Sequence, residues 1–363
     1  MPIRILHIVT YMGRGGLETM LMNYYRAIDR AKVQFDFLTH RDFRADYDDE
    51  IEALGGKIYR LPNLNPFSRS YLGALDRFFR EHPEYRIVHS HLDCMSAIPL
   101  KAAKKHGVPV RIGHAHNSNQ PRDAKYLLKL FYKRMIAGQA THLFACSDEA
   151  GRWMFGNADF RVLNNAIDAG KYAFDADIRS TVRHELGLPA DALVVGHVGR
   201  FDPQKNHRFL VEIFEKMPED ARLLLVGAGV LRPDVEQQAE ALGIRDRVLF
   251  TGVRTDVDRL LQAMDVFLFP SLFEGLGIVA VEAQAAGLPC LISDGVPMAC
   301  KATELVMQIP LSAGAKAWAE AAKNAAGISR RVTTGEIAEA GFDIAENAQW
   351  LEQFYISENR RHR

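Results

Sequence analysis

Short apolar runs alternate with longer amphipathic segments along nearly the whole of this chain, and that alternation narrows its fold more than any other feature. In the first half the runs are RILHIV, VQFDFL, KIYRLP, IVHSH, VRIGHAH and HLFACS; in the second they are LVVGHVGR, ARLLLVG, RVLFTGV, VFLFPS and PCLISD. Runs this short, separated by helical stretches, read as β-strands joined by helical crossovers, and a crossover returns the chain to the same edge so that the strands lie parallel. The rhythm breaks at residues 168–192, DAGKYAFDADIRSTVRHELGLPADA, a polar stretch without a strand signal. The expected fold class is therefore α/β, with two Rossmann-like parallel-sheet domains facing a cleft, residues 1–167 and residues 168–341. The last segment, 342–363, contains the amphipathic FDIAENAQWLEQFY and is expected to pack back on the first domain.

Composition removes several function classes. Forty-five Lys and Arg balance forty-five Asp and Glu, so no global field favours nucleic acid. No apolar run approaches the ~18 residues that a membrane-spanning helix needs. The opening MPIRILHIVTYMG reads as a core strand, since a signal peptide needs a longer apolar stretch and a cleavage site. Cys94, Cys146, Cys290 and Cys300 form no CxxC pair and suit buried thiols in a reducing cytosol.

Parallel sheets bind ligands at the carboxyl ends of their strands, so the loops after each run carry the candidates. After VFLFPS comes LFEGLGIVAVEAQ, where a helix is expected to start near Leu276 or Gly277. Its first backbone N–H groups lack partners and carry partial positive charge, and the neighbouring glycines let an anion approach closely. Glu274 before this helix and Glu282 within it suit a ligand with vicinal hydroxyls, which carboxylates bind through paired hydrogen bonds. After LVVGHVGR come Arg200 and Lys205, a fork and a point charge suited to a diphosphate. RVLFTGV ends at Arg254 on the same sheet. Three strand-end sites on one sheet point to a nucleoside diphosphate ligand.

In the first domain RILHIVTYM runs into GRGGLET. Gly15 and Gly16 allow close approach of a phosphate, but Glu18 stands where a dinucleotide fingerprint needs its third glycine, which argues against a dehydrogenase. His89 and His91 end one strand, His114 and His116 another, each pair on one face. Two such pairs raise the idea of zinc, yet no Asp, Glu or Cys completes either motif locally. Half-buried structural histidines are the plainer expectation, with His116, and His114 after it, the candidates to bond a sugar hydroxyl. The Asp-x-Asp triplets Asp46/Asp48, Asp175/Asp177 and Asp256/Asp258 lie in polar or helical surroundings and read as solvated faces, so no metal and no other cofactor is expected.

GRFDPQKNH, RVLFTGVRTDV and PSLFEGLGIVAVEAQAAGLP together resemble glycosyltransferase family 4, whose fold is the two-Rossmann GT-B type. MNYYRAIDRAKVQFDFLTH, RIGHAHNS and LFACSDEAGRWMFG resemble its transferases of bacterial capsular and exopolysaccharide assembly, and the likeness runs over almost the full length. The resemblance implies a retaining, metal-independent enzyme taking a UDP-sugar or similar nucleotide-sugar donor to a glycan or lipid-linked acceptor. It implies that Arg200 and Lys205 hold the diphosphate and stabilise leaving-group charge. Glu274 then contacts the transferred sugar, Glu282 the ribose, and Arg254 lies by the base. Backbone amides of Gly277, Ile278 and Val279 meet the phosphates, Gly15 and Gly16 approach them from the first domain, and His116 binds the donor sugar. In the family the donor's own phosphate oxygen takes the acceptor's proton. Two alternatives use the same scaffold: a nucleotide-sugar epimerase, and a non-catalytic nucleotide-sugar or glycan-binding protein.

From Lys101 to Arg134 nine Lys or Arg accompany one acid, Asp123. Lys125, Lys129 and Lys133 form one helical stripe and Leu127, Phe131 and Met135 another, a pattern that suits either a solvated helix or an anionic membrane surface. Lys101, Lys104 and Lys105 extend the basic surface. The expected location is the cytoplasm, with peripheral contact at the inner face of the plasma membrane for a lipid-linked acceptor.

Overall fold

The computed structural model describes residues 2–119 and 126–362. Lys125 lies outside the described residues. The chain divides into two compact units, Met1–Ala166 with Ile344–Arg363, and Ile167–Asp343. Each is built on one wholly parallel sheet.

The first sheet contains β1 (Ile3–Ile8), β2 (Val33–Thr39), β3 (Ile58–Arg60), β4 (Ile87–Ser90), β5 (Val110–Ala115), β6 (His142–Ala145) and β7 (Arg161–Val162), in the order β3-β2-β1-β4-β5-β6-β7. The second contains β8 (Val194–Val198), β9 (Arg222–Val226), β10 (Val248–Gly252), β11 (Val266–Phe269), β12 (Cys290–Ile292) and β13 (Val306–Gln308), in the order β10-β9-β8-β11-β12-β13. All eleven apolar runs form strands. β7 and β13 went unread because two or three residues carry no periodicity. In both sheets the first strand neighbours the fourth, β1 beside β4 and β8 beside β11, so the crossovers on either side leave in opposite directions. That is a topological switch point, where a crevice opens beyond the strand ends.

Buried polar groups explain why the strands hold their register. β2 is buried along its whole length although it contains Asp36. That carboxylate accepts from the Arg4 guanidinium, from Tyr85 Oη at 2.7 Å and from the Lys57 amide at 2.7 Å, so it replaces water with a full set of donors. The C-terminal helix, Ile344–Arg361, belongs to the first unit because Ile344, Ala348, Leu351 and Tyr355 follow helical spacing and enter its core. Its buried Glu352 accepts from the Asp29 amide at 3.0 Å and from Lys32 Nζ at 3.1 Å. Full burial of each such large apolar side chain contributes about 1.5–3 kcal/mol.

The polar segment 168–192 is no free linker. It forms a helix over Ala176–Glu185, capped by Asp175, whose Arg183 is buried in the second unit. Arg183 Nη2 donates to Asp265 Oδ2 at 2.7 Å, and its other nitrogens reach the carbonyls of Ala263, Ala190 and Ala192. Arg179 binds the second oxygen of the same Asp265 at 2.5 Å. The charge of this polar stretch is its anchor.

In the helix Tyr126–Gln139 the apolar stripe is the more exposed of the two. Leu127 and Phe131 are 78% and 58% exposed, whereas Lys129 and Lys133 are half-buried. Lys133 Nζ sits 4.3 Å over the Trp153 ring, and burial lowers its pKa. Lys104 caps this helix through the Gly138 carbonyl at 2.9 Å, and Lys105 pairs with Asp76 at 2.6 Å, so these two lysines also have structural tasks.

Candidate functional site

The loops after β8 and β11 meet beyond the switch point of the second sheet. After β8 the chain makes a short turn, Pro203–Lys205, whose first residue follows Asp202; the Asp202 carboxylate accepts the Lys205 amide at 3.2 Å. Asn206 then adopts the left-handed conformation, at φ 55°, and opens the helix His207–Glu215. Asn206 Nδ2 donates to the Pro270 carbonyl at 3.2 Å, and the Leu272 amide donates to the Gln204 carbonyl at 2.8 Å. These two bonds tie the loops together.

What they bring together is Lys205 and Glu274, with Nζ 2.6 Å from Oε1 and side chains only 17% and 8% exposed. Gln204 Nε2 donates to the Phe273 carbonyl at 2.9 Å and to Glu274 Oε2 at 3.3 Å, so the carboxylate is held at both oxygens. Lys205 Nζ also lies 4.8 Å over the Phe269 ring. Gly199 permits this packing, since a Cβ there would stand 2.8 Å from His197 Nε2 and 3.3 Å from the Lys205 stem. A shielded ion pair of this kind contributes little net stability, because desolvation offsets attraction, but it holds a cation and an acceptor in fixed positions.

The helix after β11 begins at Ile278, with Gly277 as its cap at φ 82° and no side chain capping its first amides. Left-handed backbone and the nearby Phe269 ring, 2.8 Å from a Cβ built at position 277, both require glycine. Amides at a helix start left without a side-chain cap are of the kind that can bind an anion. Glu282 lies about one turn into the helix. It is buried, and burial pushes its carboxyl up to about 7, opposed by a hydrogen bond from Tyr172 and by the Lys171 charge. A carboxyl group with that value is half ionised near neutral pH.

Two cations stand apart from this pair. Arg200 has a 65% exposed side chain and pairs with Asp202 at 3.1 Å. Arg254 makes a two-pronged bond to Asp256, at 2.8 and 2.7 Å. Of the Asp-x-Asp triplets read as solvated, Asp48 is instead buried against Arg60, Asp175 caps a helix and Asp256 holds Arg254.

In the first unit, the helix Gly16–Ala27 starts after Gly15 without a side-chain cap. The Glu18 carboxylate lies over Gly15, where a Cβ would stand 2.3 Å from it, so an anion at this loop requires Glu18 to swing aside. The histidines form one continuous row that includes His7, which sequence reasoning passed over. His7 on β1 pairs in register with His89 on β4, and alternation puts His91, His114 and His116 on the same face. His7 Nδ1 lies 3.0 Å from His91 Nε2, and His91 Nδ1 lies 2.9 Å from His116 Nε2. Tyr355 Oη lies 2.7 Å from His89 Nδ1, and His89 Nε2 lies 3.1 Å from His114 Nδ1. Burial lowers all five, His7 and His116 to about 3, so the row is neutral at pH 7. Asp93 was also missed: its carboxylate accepts from the His116 amide at 2.8 Å and from Asn117 Nδ2 at 2.7 Å.

Comparison with known proteins agrees with this architecture. Residues 14–171 match the model of Glycosyltransferase Family 4, and residues 178–305 match that of Glycosyl transferases group 1. EpsF of Bacillus subtilis (strain 168), named as a glycosyltransferase, is 38% identical over 99% of this chain and 98% of its own. An Escherichia coli UDP-Gal:alpha-D-GlcNAc-diphosphoundecaprenol alpha-1,3-galactosyltransferase is 29% identical over 58% of each chain. Among solved structures, Anabaena HepE in complex with UDP and glucose superposes with a TM-score of 0.82 at 20% identity, covering 98% of this chain and 100% of that one. The fold is GT-B, and the full-length relative together with the two matched models makes this chain a member of glycosyltransferase family 4, a transferase of the hexosyltransferase type.

Proposed function

We propose that this protein is a retaining glycosyltransferase that takes a sugar from UDP and transfers it, without a metal at the diphosphate, to a glycan or lipid-linked acceptor of exopolysaccharide or capsule assembly. The observation that carries the reading is the Lys205–Glu274 pair at 2.6 Å beside the uncapped start of the helix Ile278–Ala285. Lys205 supplies a cation where leaving-group charge develops, and the amides of Gly277, Ile278 and Val279 share the same anion. Arg200, exposed and paired with Asp202, turns to the diphosphate when the donor arrives. Fixed positive charge of this kind replaces the divalent ion that other nucleotide-sugar enzymes use. Glu274 accepts from the hydroxyls of the transferred sugar, Glu282 from the ribose, and Arg254 borders the base. In the first unit His116 is assigned a sugar hydroxyl, with His114 behind it, and Gly15 and Gly16 an anionic group. UDP is favoured as carrier because HepE is described with UDP and the Escherichia coli relative is named for UDP-Gal. The donor's phosphate oxygen takes the acceptor's proton on the face from which it leaves, which gives retention.

A lipid-linked acceptor suits the helix Tyr126–Gln139. It exposes Leu127 and Phe131, and its Lys133 and Arg134 line a surface hollow of about 410 Å³ together with Arg152 and Trp153. Apolar side chains beside clustered cations match an anionic bilayer surface.

Lys205→Ala and Glu274→Ala are each expected to lower turnover by about a hundredfold or more, with product formed only when acceptor is present. Added Mg²⁺ or Mn²⁺ should leave wild-type turnover unchanged; near-normal turnover in either variant, or strong metal stimulation, contradicts the assignment. Glu282 must be ionised to accept from the ribose. Because its pKa is raised to about 7, donor KM should rise about tenfold from about pH 8 to about pH 6, and Glu282→Gln should flatten that profile. A wild-type KM that is flat over this range removes Glu282 from the donor site. In vesicle co-sedimentation the double variant Leu127→Ser/Phe131→Ser should lose several-fold in binding to anionic phospholipid; a wild-type chain that ignores such vesicles ends the membrane reading.

A further inference from the structure

The proposed transfer reaction uses the outermost ring of the histidine row and leaves the rest unexplained. We infer that His91, His114 and His116 form a binding site for one divalent transition cation of the zinc class. A ring nitrogen from each lies within 4.8 Å of the other two. His91 Nδ1 and His116 Nε2 are already 2.9 Å apart. Tetrahedral ligation at about 2.1 Å sets neighbouring nitrogens roughly 3.4 Å apart, so this pair of rings needs to open by about half an ångström, while the third nitrogen, within 4.8 Å of both, draws in toward them. The third ligand is His114, whose Nε2 is buried and has no hydrogen-bond partner among the described residues.

The surroundings of these rings are those of a metal site. A ligating imidazole usually donates its other N–H to a fixed partner, which sets tautomer and orientation. His91 Nε2 lies 3.0 Å from His7 Nδ1, and His114 Nδ1 lies 3.1 Å from His89 Nε2, whose own Nδ1 meets Tyr355 Oη at 2.7 Å. Two of the three ligands, His91 and His114, therefore have their outer partners in place, and the hydrogen-bonded row ends at Tyr355 on the C-terminal helix. Asp93, bonded to the His116 amide, is the neighbouring carboxylate that offsets the ion's charge. A second trio, His7, His89 and His91, is equally close, but both nitrogens of His89 are taken, by Tyr355 and His114.

Binding releases no proton. The proton shared between His91 Nδ1 and His116 Nε2 moves so that each ring carries one hydrogen on the nitrogen facing away from the ion. For His116 that nitrogen is Nδ1, which is buried without a partner among the described residues. The ion thereby fixes His116 as a donor. This inference does not depend on the identity of the donor. Three neutral imidazoles select zinc, cobalt or nickel over magnesium or calcium, which prefer oxygen.

The test is metal analysis of the tag-free full-length chain grown with zinc, and again with cobalt. The expected result is about one ion per chain and the visible spectrum of tetrahedral, nitrogen-ligated cobalt. His114→Gln should lose most of the metal, and His7→Gln, which removes only the outer partner of His91, should lose distinctly less. Failure of wild-type protein to hold stoichiometric metal, retention in His114→Gln, or equal loss in His7→Gln overturns the assignment. If His114→Gln does not fold, the wild-type cobalt spectrum decides: octahedral or absent bands refute the site. Loss of transferase activity in Lys205→Ala with its metal content intact would separate this site from the donor reading.

Discussion

Strands that are all parallel and buried on both faces place every loop that can meet a ligand at one edge of the sheet, and that constraint governs this molecule. Each crossover must leave the carboxyl end of one strand and return to the amino end of the next, so chemistry collects where the winding reverses. In the second sheet this happens between β8 and β11, and the loops after them carry Arg200, Lys205 and Glu274. In the first it happens between β1 and β4, which carry His7, His89 and His91 at adjoining positions. Neither cluster is local in sequence. Both follow from strand order.

The contact between Lys205 and Glu274 shows how such an edge becomes preorganised. Neither side chain is free to seek solvent, because Gln204 and Phe269 hold them and the Asn206 and Leu272 bonds hold the loops. Arrival of an anion then needs little rearrangement of the protein, and the charge is already desolvated where it acts. Arg200 and Arg254 differ in this respect. Each has a carboxylate partner two residues away, and each must exchange it for a ligand. Glu282 differs again, since burial makes its charge conditional on pH.

Much of this was legible in the chain itself. Apolar runs disclosed eleven strands, and residues beyond the runs disclosed the strand-end charges, because burial of parallel strands writes itself as continuous hydrophobicity. What remained hidden depends on pairing. The register of β1 against β4 brings His7 to His89, and no spacing in the sequence encodes it. Lys104, Lys129 and Lys133 read as a free basic surface because charge alone does not reveal that a carbonyl or an indole ring faces it. The segment 168–192 reads as a polar stretch without a strand signal for the same reason: Arg183 is polar in composition and core in position, made so by Asp265 and three carbonyls. Asp48 was taken as solvated although Arg60 buries it.

The central claim is that the edge of the second sheet binds a nucleoside diphosphate. Isothermal titration calorimetry of the tag-free chain with UDP, GDP, ADP and NAD, in buffer without added divalent metal, tests it most directly. The account predicts saturable binding of one nucleoside diphosphate, UDP before the others, and its loss in Lys205→Ala. Binding of NAD alone, or UDP binding that is unchanged in Lys205→Ala, would contradict it.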